Sequence, residues 1–338
     1  MNNSSVDITT KVVFLSRPAA YPERPQRVEV IETHMSWVFL NDRHVYKLHK
    51  PVRTDYLDFS TLERRRADCE EELRLNRQLA PDIYLGLVAL TRESDGGLAL
   101  AGTGEVVEWL VKMRRLPRER MLDTCITQGT VTPTEVDRLT EVLVAFYRQA
   151  PPCPMSGEAY RQRWRRDVQT HHRLLLAAAD RDLPVRQLEH LRDGLLGFVQ
   201  DRPALLAARA ARVVEAHGDL RPEHVCLREP PVFIDRLEFN RDFRLQDPAE
   251  ELAFLALECE HVGAAWIGER LFATYQRLSD DRVNRELLAF YKAARAQLRA
   301  RLSASHLTDH PPRGSVQKWL DKTRAYLQLA QRYLTVLG

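Results

Sequence analysis

The sequence changes character about a third of the way along the chain. To about residue 112, short runs of β-branched and aromatic residues are separated by turn-forming residues, which is typical of antiparallel strands. The remainder consists mainly of long segments with the periodicity of amphipathic helices. The change predicts an α+β fold, in which a small antiparallel sheet with one helix precedes a larger, mainly helical part.

Local signals place the individual elements. We expect residues 1–27, which contain several prolines, to form an irregular lead-in, residues 28–112 a β-rich domain and residues 113–338 a helical domain. A capping box formed by Ser60 and Glu63 predicts a helix to about Gln78. We predict strands near 28–33, 37–41, 44–49, 84–91 and 105–113, and a short hairpin over 225–235. Further helices are predicted near 133–149, 157–179, 185–200, 248–260, 263–279, 283–304 and 314–335.

Composition narrows the class of protein. With 44% hydrophobic and 29% charged residues, the chain is typical of soluble globular proteins. No apolar run approaches the ~20 residues that span a bilayer, and the first ten residues lack the pattern of a secretory signal. The 50 basic and 47 acidic residues are too balanced to indicate a nucleic-acid partner, and the basic run at 160–173 is typical of a solvated helix face.

Cysteine and glycine usage exclude further classes of site. The five cysteines are odd in number, widely spaced and without a CxxC pair, which disfavours a disulfide framework or a zinc site and favours a reducing cytoplasm. The sequence contains neither GxGxxG nor GxxxxGK[ST], the two common glycine-rich motifs that bind phosphate. Only seven of the 50 basic residues are lysines, so a lysine in a candidate site is informative, because ammonium and guanidinium groups differ chemically.

Two aspartates sixteen residues apart carry the clearest chemical signal. Asp219 lies in the loop HGDLRPEH, before the predicted hairpin, and Asp235 ends the second strand of that hairpin in VFID. Because a hairpin reverses the chain, both carboxylates can face one pocket. Such a pair suits phosphoryl transfer: one carboxylate orients the attacking hydroxyl and accepts its proton, and the other holds Mg²⁺ on the nucleotide phosphates.

These motifs resemble a known family. HGDLRPEH resembles the HRDLKPEN catalytic loop of protein kinases and, more closely, the HGDLHxxN loop of aminoglycoside phosphotransferases and related small-molecule kinases. IDRLEFN followed by DPAEELAFL resembles the ID…DP..DLA segment of the second group. The resemblance implies a bilobal protein-kinase-like fold, ATP and Mg²⁺ as cofactors, and transfer of a phosphoryl group to a hydroxyl of a small molecule.

The resemblance also implies roles for single residues. Asp219 matches the catalytic aspartate, and His217 matches the histidine that supports its loop. Arg221 matches the cation near the transferred phosphate, and Asp235 matches the magnesium-binding aspartate. These four residues are therefore the first candidates for the reaction.

The chain departs from the family pattern at one position. His224 stands where an asparagine is expected, and imidazole is a poor ligand for Mg²⁺. His224 is therefore a doubtful metal ligand and suits a structural role. Asn240 or Glu238 could supply oxygen to the metal instead. Alternatively, a site with a single metal ion works without the expected asparagine. The departure also leaves open a nucleotide-binding pseudokinase with a regulatory role. A protein kinase is disfavoured, because a helix is predicted soon after Asp235 and no APE motif follows.

A lysine for the nucleotide phosphates is expected on the third strand, where kinase-like folds have V-A-I-K. Lys47 fits that position, and Lys50 is its competitor. Strand alternation places Lys47 and His49 on one face. On the following helix, Glu72 lies at the edge of the apolar stripe, where a carboxylate requires a cation. We predict an ion pair between Lys47 and Glu72; the alternative is a surface glutamate that binds Asn76 or an arginine.

The other nucleotide contacts are implied mainly by the resemblance. The turn Thr33-His34-Met35-Ser36 would cover the phosphates through backbone N–H groups and the Ser36 hydroxyl. Adenine would meet the backbone near Lys112 and Met113, although Met113 is also consistent with an ordinary core residue.

The acceptor is not defined by the sequence. The segment EELAFLALECE offers Glu250, Glu251, Glu258 and Glu260 to a cationic acceptor such as an aminoglycoside, although a charged helix face explains them as well. Glu251 matches the acidic position of DP..DLA, and we expect a structural role for it. The sequence does not indicate an oligomeric state.

Overall fold

The computed structural model describes residues 6–54, 57–178, 183–308 and 316–337. The chain divides into two compact units. The first runs to Met121 and includes Val232–Asp242; the second consists of Leu122–Pro231 and the chain from Phe243 onward. This division differs from the predicted boundary after residue 112, because the segment that carries Asp235 is hydrogen-bonded to elements of the first unit.

A six-stranded antiparallel sheet forms the centre of the first unit. Its elements are α1 (Ile8–Leu15), β1 (Glu29–Glu32), β2 (Ser36–Leu40), β3 (His44–His49), β4 (Arg53–Thr54), β5 (Leu57–Asp58), α2 (Leu62–Asn76), β6 (Tyr84–Arg92), β7 (Leu98–Leu100) and β8 (Glu105–Arg114). The strand order is β1-β2-β3-β8-β6-β7, and β4 pairs with β5 separately. The five strands predicted for this unit are confirmed. The short strands β4 and β5 were not predicted, nor was β7, which follows the turn at residues 95–97.

Alternation along β3 separates an apolar face from a polar one. Tyr46 and Leu48 are buried in a core with residues of β2, β6 and β8. Leu15 at the end of α1 belongs to the same core. The predicted irregular lead-in is therefore wrong at residues 8–15, where Asp7 caps a helix by accepting the Thr10 N–H at 2.9 Å. The prolines that suggested irregular structure lie beyond the end of this helix.

Glu108 on β8 is a buried carboxylate that two cations share. The Lys11 Nζ of α1 lies 2.8 Å from Glu108 Oε2. Arg65 of α2 donates its Nε to Oε1 at 2.9 Å and its Nη2 to Oε2 at 2.8 Å. All three side chains are buried. One carboxylate thus links both helices of the first unit to the sheet.

The beginning of α2 differs from the prediction by one residue. Thr61 is the N-cap, because its hydroxyl oxygen accepts the Arg64 N–H at 3.3 Å. The Ser60 hydroxyl instead donates to Asp58 Oδ1 at 2.6 Å, so the predicted capping box of Ser60 is wrong. The helix ends at Asn76, two residues before the predicted end.

The second unit is mainly helical. Its first elements are α3 (Leu122–Gln128), α4 (Pro133–Gln149), α5 (Gly157–Leu176), α6 (Val185–Asp201), α7 (Pro203–Ala210), β9 (Val214–Glu215) and β10 (Val225–Cys226). The next strand, β11 (Val232–Phe233), belongs to the first unit. The second unit continues with β12 (Leu245–Gln246), α8 (Pro248–His261), α9 (Ala265–Ser279), α10 (Arg285–Thr308) and α11 (Val316–Leu334). Strands β9 and β12 pair antiparallel.

The predicted helices of this unit are confirmed, with small shifts of their ends. The predicted end at residue 179 and start at residue 314 lie outside the described residues. Helices α3 and α7 were not predicted, because both are short. Of the helices that the structure describes, none combines the length and the apolar character that a membrane span requires.

Replacement of Glu108 by alanine should lower the free energy of unfolding by ~3–5 kcal/mol, because it leaves two buried cations without their carboxylate. Urea denaturation followed by tryptophan fluorescence measures the effect. The matched control is Glu105→Ala on the same strand, which removes an exposed ion pair with Arg92 and should cost less than ~1 kcal/mol. Equal losses in the two variants would contradict the role of the buried cluster.

Candidate active site

The ammonium group of Lys47 lies among three carboxylates in the first unit. Its Nζ is 3.1 Å from Glu72 Oε1, 3.2 Å from Asp235 Oδ1 and 3.5 Å from Glu238 Oε1. Lys47 comes from β3, Glu72 from α2, and the other two from the segment after β11. Three separate parts of the chain therefore meet at one cation, and the predicted contact between Lys47 and Glu72 is confirmed.

Lys50, the competing lysine, binds elsewhere. Its Nζ donates to Glu32 Oε1 at 2.6 Å and to the Thr33 carbonyl at 2.7 Å. The same ammonium lies 5.2 Å from the ring centroid of Trp37. Lys50 therefore stabilises the turn between β1 and β2, and Lys47 is the lysine of the carboxylate cluster.

The electrostatics of the cluster follow from its burial and charge. Burial lowers the pKa of Lys47, but Asp235, Glu238 and Glu72 outweigh burial and hold that pKa well above its ordinary value. Burial, together with the neighbouring carboxylates, raises the pKa of Glu238 to about 8, although Lys47 opposes this shift. For His49, burial lowers the pKa, but hydrogen bonds to the carboxylates of Asp68 and Glu72 raise it to about 9.

The carboxylates in this cluster outnumber the cations. Four carboxylates, those of Asp68, Glu72, Asp235 and Glu238, surround the two cations Lys47 and His49. The Asp235 side chain is 47% exposed and so accessible to a ligand. Mg²⁺ prefers oxygen ligands, and a divalent cation would favour the ionised form of Glu238, whose pKa is raised to about 8, and balance the excess negative charge. The donor set therefore fits Mg²⁺ at Asp235 and Glu238.

Asn240, the other oxygen donor suggested by the sequence, has a local role. Its Oδ1 accepts the Asp242 N–H at 2.9 Å. Among the contacts that the structure describes, none joins Asn240 to the Lys47 cluster. Of the two alternatives, Glu238 rather than Asn240 lies beside Lys47.

Three hydrogen bonds, one with Tyr84 and two with Asn76 of α2, position the backbone at Asp235. Its backbone is left-handed (φ 60°), a conformation that aspartate tolerates better than most residues. The Asp235 N–H donates to the Tyr84 hydroxyl at 2.9 Å. Asn76 Oδ1 accepts the Arg236 N–H at 2.8 Å, and Asn76 Nδ2 donates to the Arg236 carbonyl at 3.3 Å. Neither role was predicted from the sequence, although a buried amide such as that of Asn76 requires partners.

The loop that carries Asp219 is fixed to α8 of the second unit. Gly218 adopts φ 92°, which favours glycine. Its N–H donates to Glu251 Oε1 at 2.7 Å, and the Tyr147 hydroxyl donates to Glu251 Oε2 at 2.7 Å. Glu251 is fully buried, so the structural role expected for it is confirmed. The Asp219 N–H donates to Nδ1 of the buried His217 at 3.3 Å.

The Asp219 carboxylate is accessible and lies beside a cation. Its side chain is 32% exposed, and its Oδ2 accepts a hydrogen bond from Arg221 Nε at 3.0 Å. Arg221 also donates to Glu223 at 2.5 Å. Burial lowers the pKa of Arg221, but Asp219 and Glu223 outweigh burial and raise it. The guanidinium group therefore remains charged beside the candidate catalytic carboxylate.

Both ring nitrogens of His224 are engaged within the loop. Nδ1 lies 2.8 Å from the carbonyl oxygen of Asp219, and because a carbonyl can only accept, Nδ1 carries the proton. Nε2 lies 3.2 Å from Arg221 Nη2 and accepts from that donor. No lone pair of this ring is left for a metal ion, so the geometry favours the structural role over the metal ligand.

The remaining candidate residues lie at or next to the ends of strands. The Ser36 N–H donates to Thr33 Oγ1 at 3.0 Å, within the turn between β1 and β2, and Ser36 is buried. That backbone N–H is therefore already used within the turn, and the contact of the Ser36 hydroxyl with the phosphates stays a prediction. His34 is exposed at the same turn, and the half-buried Met113 lies on β8 beside Val45 and Tyr84. Their nucleotide contacts stay predictions.

No protein-family model matches the sequence. Uncharacterized proteins of Mycobacterium tuberculosis and Mycobacterium bovis are 31% identical over 323 residues, which cover 92% of this chain and 62% of theirs. The chain thus spans less than two thirds of the length of these relatives.

Solved structures match nearly the whole chain. A choline/ethanolamine kinase family protein from Mesorhizobium loti has a TM-score of 0.56 and 15% identity, over 97% of this chain and 98% of its own. The fold is kinase-like. Choline kinase LicA from Streptococcus pneumoniae has a TM-score of 0.54 and 16% identity, over 91% and 94% of the chains. The GDP and kanamycin complex of APH(2")-IIia has a TM-score of 0.53 and 16% identity, over 96% and 98%. The predicted kinase-like fold is confirmed.

The imidazole of His49 should titrate near pH 9 in an NMR titration. Because its pKa is raised from 6.5 to about 9, it contributes on the order of 3 kcal/mol of stability. This contribution is complete below pH 6.5 and is lost as the pH rises through 9. Asp68→Asn should lower the pKa of His49, whereas Asp42→Asn, in the exposed turn before β3, should not. A wild-type pKa at or below 6.5 would contradict the assignment.

Proposed function

We propose that this protein transfers the γ-phosphoryl group of ATP, in the presence of Mg²⁺, to a hydroxyl of a small molecule. The observation that carries the proposal is the contact of the buried Lys47 ammonium with both Glu72 and Asp235 in a kinase fold. A lysine held charged by carboxylates provides a fixed positive charge for the phosphates of a nucleotide. The solved choline kinases and the kanamycin complex of the same fold support a small-molecule acceptor.

In this proposal, the first unit binds the nucleotide. Lys47 binds the phosphates, and Glu72 holds the lysine side chain in place. Asp235 and Glu238 would hold Mg²⁺, which would supply positive charge to neutralise the phosphates. Asn76 and Tyr84 orient the backbone that carries Asp235.

The second unit activates the acceptor. Asp219 orients the acceptor hydroxyl and takes up its proton as the new bond to phosphorus forms. Glu251 and Gly218 fix the backbone of the loop before Asp219. Arg221 balances negative charge beside this carboxylate and beside the transferred phosphoryl group.

His224 favours one second candidate, a nucleotide-binding pseudokinase. The metal ligand expected there is missing, and the imidazole is used inside the loop. Such a protein would bind the nucleotide without transferring its phosphoryl group. A protein kinase is disfavoured, since Asp247 follows Asp235 by twelve positions and caps α8, which leaves little chain for a peptide platform.

Asp219→Asn should lower phosphoryl transfer by at least ~10²-fold, the lower end for general-base catalysis. It should hardly change the affinity for ATP, because this interaction is realised only in the transition state. Asp235→Ala should weaken Mg²⁺·ATP binding as well. Turnover assays and calorimetry measure both quantities, with slow ATP hydrolysis as the readout until an acceptor is found.

The control for these variants is Asp242→Asn, an exposed aspartate of the same unit as Asp235, which should change neither quantity. Full turnover of Asp219→Asn would exclude the proposed mechanism. Binding of ATP without turnover in the wild type would favour the pseudokinase.

Lys47→Met should weaken ATP binding by at least ~10-fold, because one charge-assisted contact with phosphate is lost. Lys50→Met provides a matched control, since it removes the same charge from the end of the same strand. Calorimetry with Mg²⁺·ATP compares the two variants. Equal losses of affinity would show that the effect is only a change of net charge.

A further inference from the structure

One face of α11 carries charge and aromatic rings that the proposed mechanism does not use. Trp319, Lys322 and Tyr326 lie at positions i, i+3 and i+7 and so share a side of the helix. The Tyr326 hydroxyl donates to Glu258 Oε2 at 3.0 Å. Arg299 of α10 lies 3.2 Å from Glu258 Oε1, and its guanidinium group lies 5.5 Å from the Tyr326 ring centroid.

Helix α8 connects these groups to the loop of Asp219. Burial lowers the pKa of Arg299, but the charges of Glu258 and Asp219, with the Tyr326 phenol, outweigh burial and raise it. Burial and then Arg299 lower the pKa of Lys322, more than Glu258 and Glu223 raise it. Geometry places the two features together: Glu251 of α8 accepts the Gly218 N–H of the loop, and Glu258, two turns further along the same side of α8, accepts the Tyr326 hydroxyl of α11. This face of α11 therefore lies near the candidate catalytic loop.

The glutamates of α8 are already engaged by groups of the second unit. Each of the four that the sequence offered to a cationic acceptor has a cation, a hydroxyl or a backbone N–H beside it. The pairs are Glu250 with Arg163 and Arg295, Glu251 with Gly218 and Tyr147, Glu258 with Arg299 and Tyr326, and Glu260 with Lys292, Arg332 and Tyr333. A cationic acceptor would therefore find these carboxylates already occupied.

Unlike most of these glutamates, Lys322 has no oppositely charged partner among the residues that the structure describes. It is half-buried, and within the described part of the chain no carboxylate lies at ion-pair distance from its Nζ. The contact described for its ammonium is the Trp319 ring, whose centroid is 5.8 Å away. The Trp319 ring itself stacks on His306 at 3.8 Å. Lys322 is thus a cation beside a fixed aromatic surface, without a protein anion to neutralise it.

We propose that the phosphoryl acceptor is a hydroxylated anion, whose carboxylate or phosphate group binds Lys322 while its carbon chain contacts Trp319. The proposal rests on the kinase function above and names its substrate class.

The charge balance around the loop supports this class. Asp219 and Glu223 are both paired with Arg221, and Glu258 is paired with Arg299, whereas among the described residues no carboxylate is paired with Lys322. A cationic acceptor would add positive charge to a partly desolvated region in which the carboxylates are already neutralised, which is unfavourable. An acceptor anion would instead pair with the cation that has no carboxylate partner.

The test compares acceptors of different charge with the full chain and Mg²⁺·ATP. The anions are D-gluconate for the carboxylate class and glycerol 3-phosphate for the phosphate class. Sorbitol and glycerol are their neutral counterparts, and choline and kanamycin are the cations. We expect the highest kcat/KM with one of the anions, and the better anion identifies the group that binds Lys322.

Two lysine variants distinguish the loss of the proposed anion contact from a simple change of net charge. Lys322→Gln should raise KM for the preferred anion by at least ~10-fold, the loss of one charge-assisted hydrogen bond, with kcat and the KM for ATP nearly unchanged. Lys318→Gln removes the same charge from an exposed position of the same helix, also beside Trp319, and should leave KM unchanged. Calorimetry of both anions with the ADP-loaded protein gives the same comparison without turnover.

The proposal is overturned if choline or kanamycin is the preferred acceptor, if the two lysine variants lose affinity equally, or if neither anion reacts or binds. These outcomes leave the kinase function intact when ATP is still bound and hydrolysed. Absence of nucleotide binding in the wild type would contradict the kinase function and this proposal together.

Discussion

A buried ammonium group stays charged only when carboxylates surround it, and the first unit is organised around this requirement at Lys47. Glu72 must lie on the inner side of α2 to reach the lysine, which fixes the rotation of the helix about its axis. Asn76, one turn further along, is then also buried and binds the backbone at Arg236. The placement of Asp235 beside Lys47 follows from that contact, so the candidate nucleotide site depends on the charge of one side chain.

Local patterns in the sequence predicted much of this arrangement. Alternation along β3 separated Lys47 and His49 from the apolar core, and helical periodicity identified Glu72 as an inward-facing carboxylate. The structural role of Glu251 could also be predicted, because its position relative to the DP motif matches the family pattern. Such features depend on neighbours within a few residues of the chain, or on motifs whose order along the chain is sufficient.

The features that the sequence did not provide depend on contacts between distant residues. Helix α1 is joined to the sheet by Lys11 and Glu108, which are 97 positions apart. Whether Glu238 or Asn240 lies beside Lys47 depends on the path of a loop with no regular pattern. The choice between a metal ligand and a structural role for His224 depends on which atoms lie within hydrogen-bond distance of each ring nitrogen. Sequence patterns do not define positions at that precision.

The paired contacts of Asn76 with the backbone of Arg236 have a mechanical consequence. Glu72 and Asn76 are four residues apart on the same rigid helix, and one binds the lysine while the other holds the segment of the aspartate. A rotation or an axial shift of α2 would move both anchors together, and neither could be released alone. Displacement of this one helix would therefore disturb the Lys47 contact and the Asp235 segment of the candidate nucleotide site in a single step.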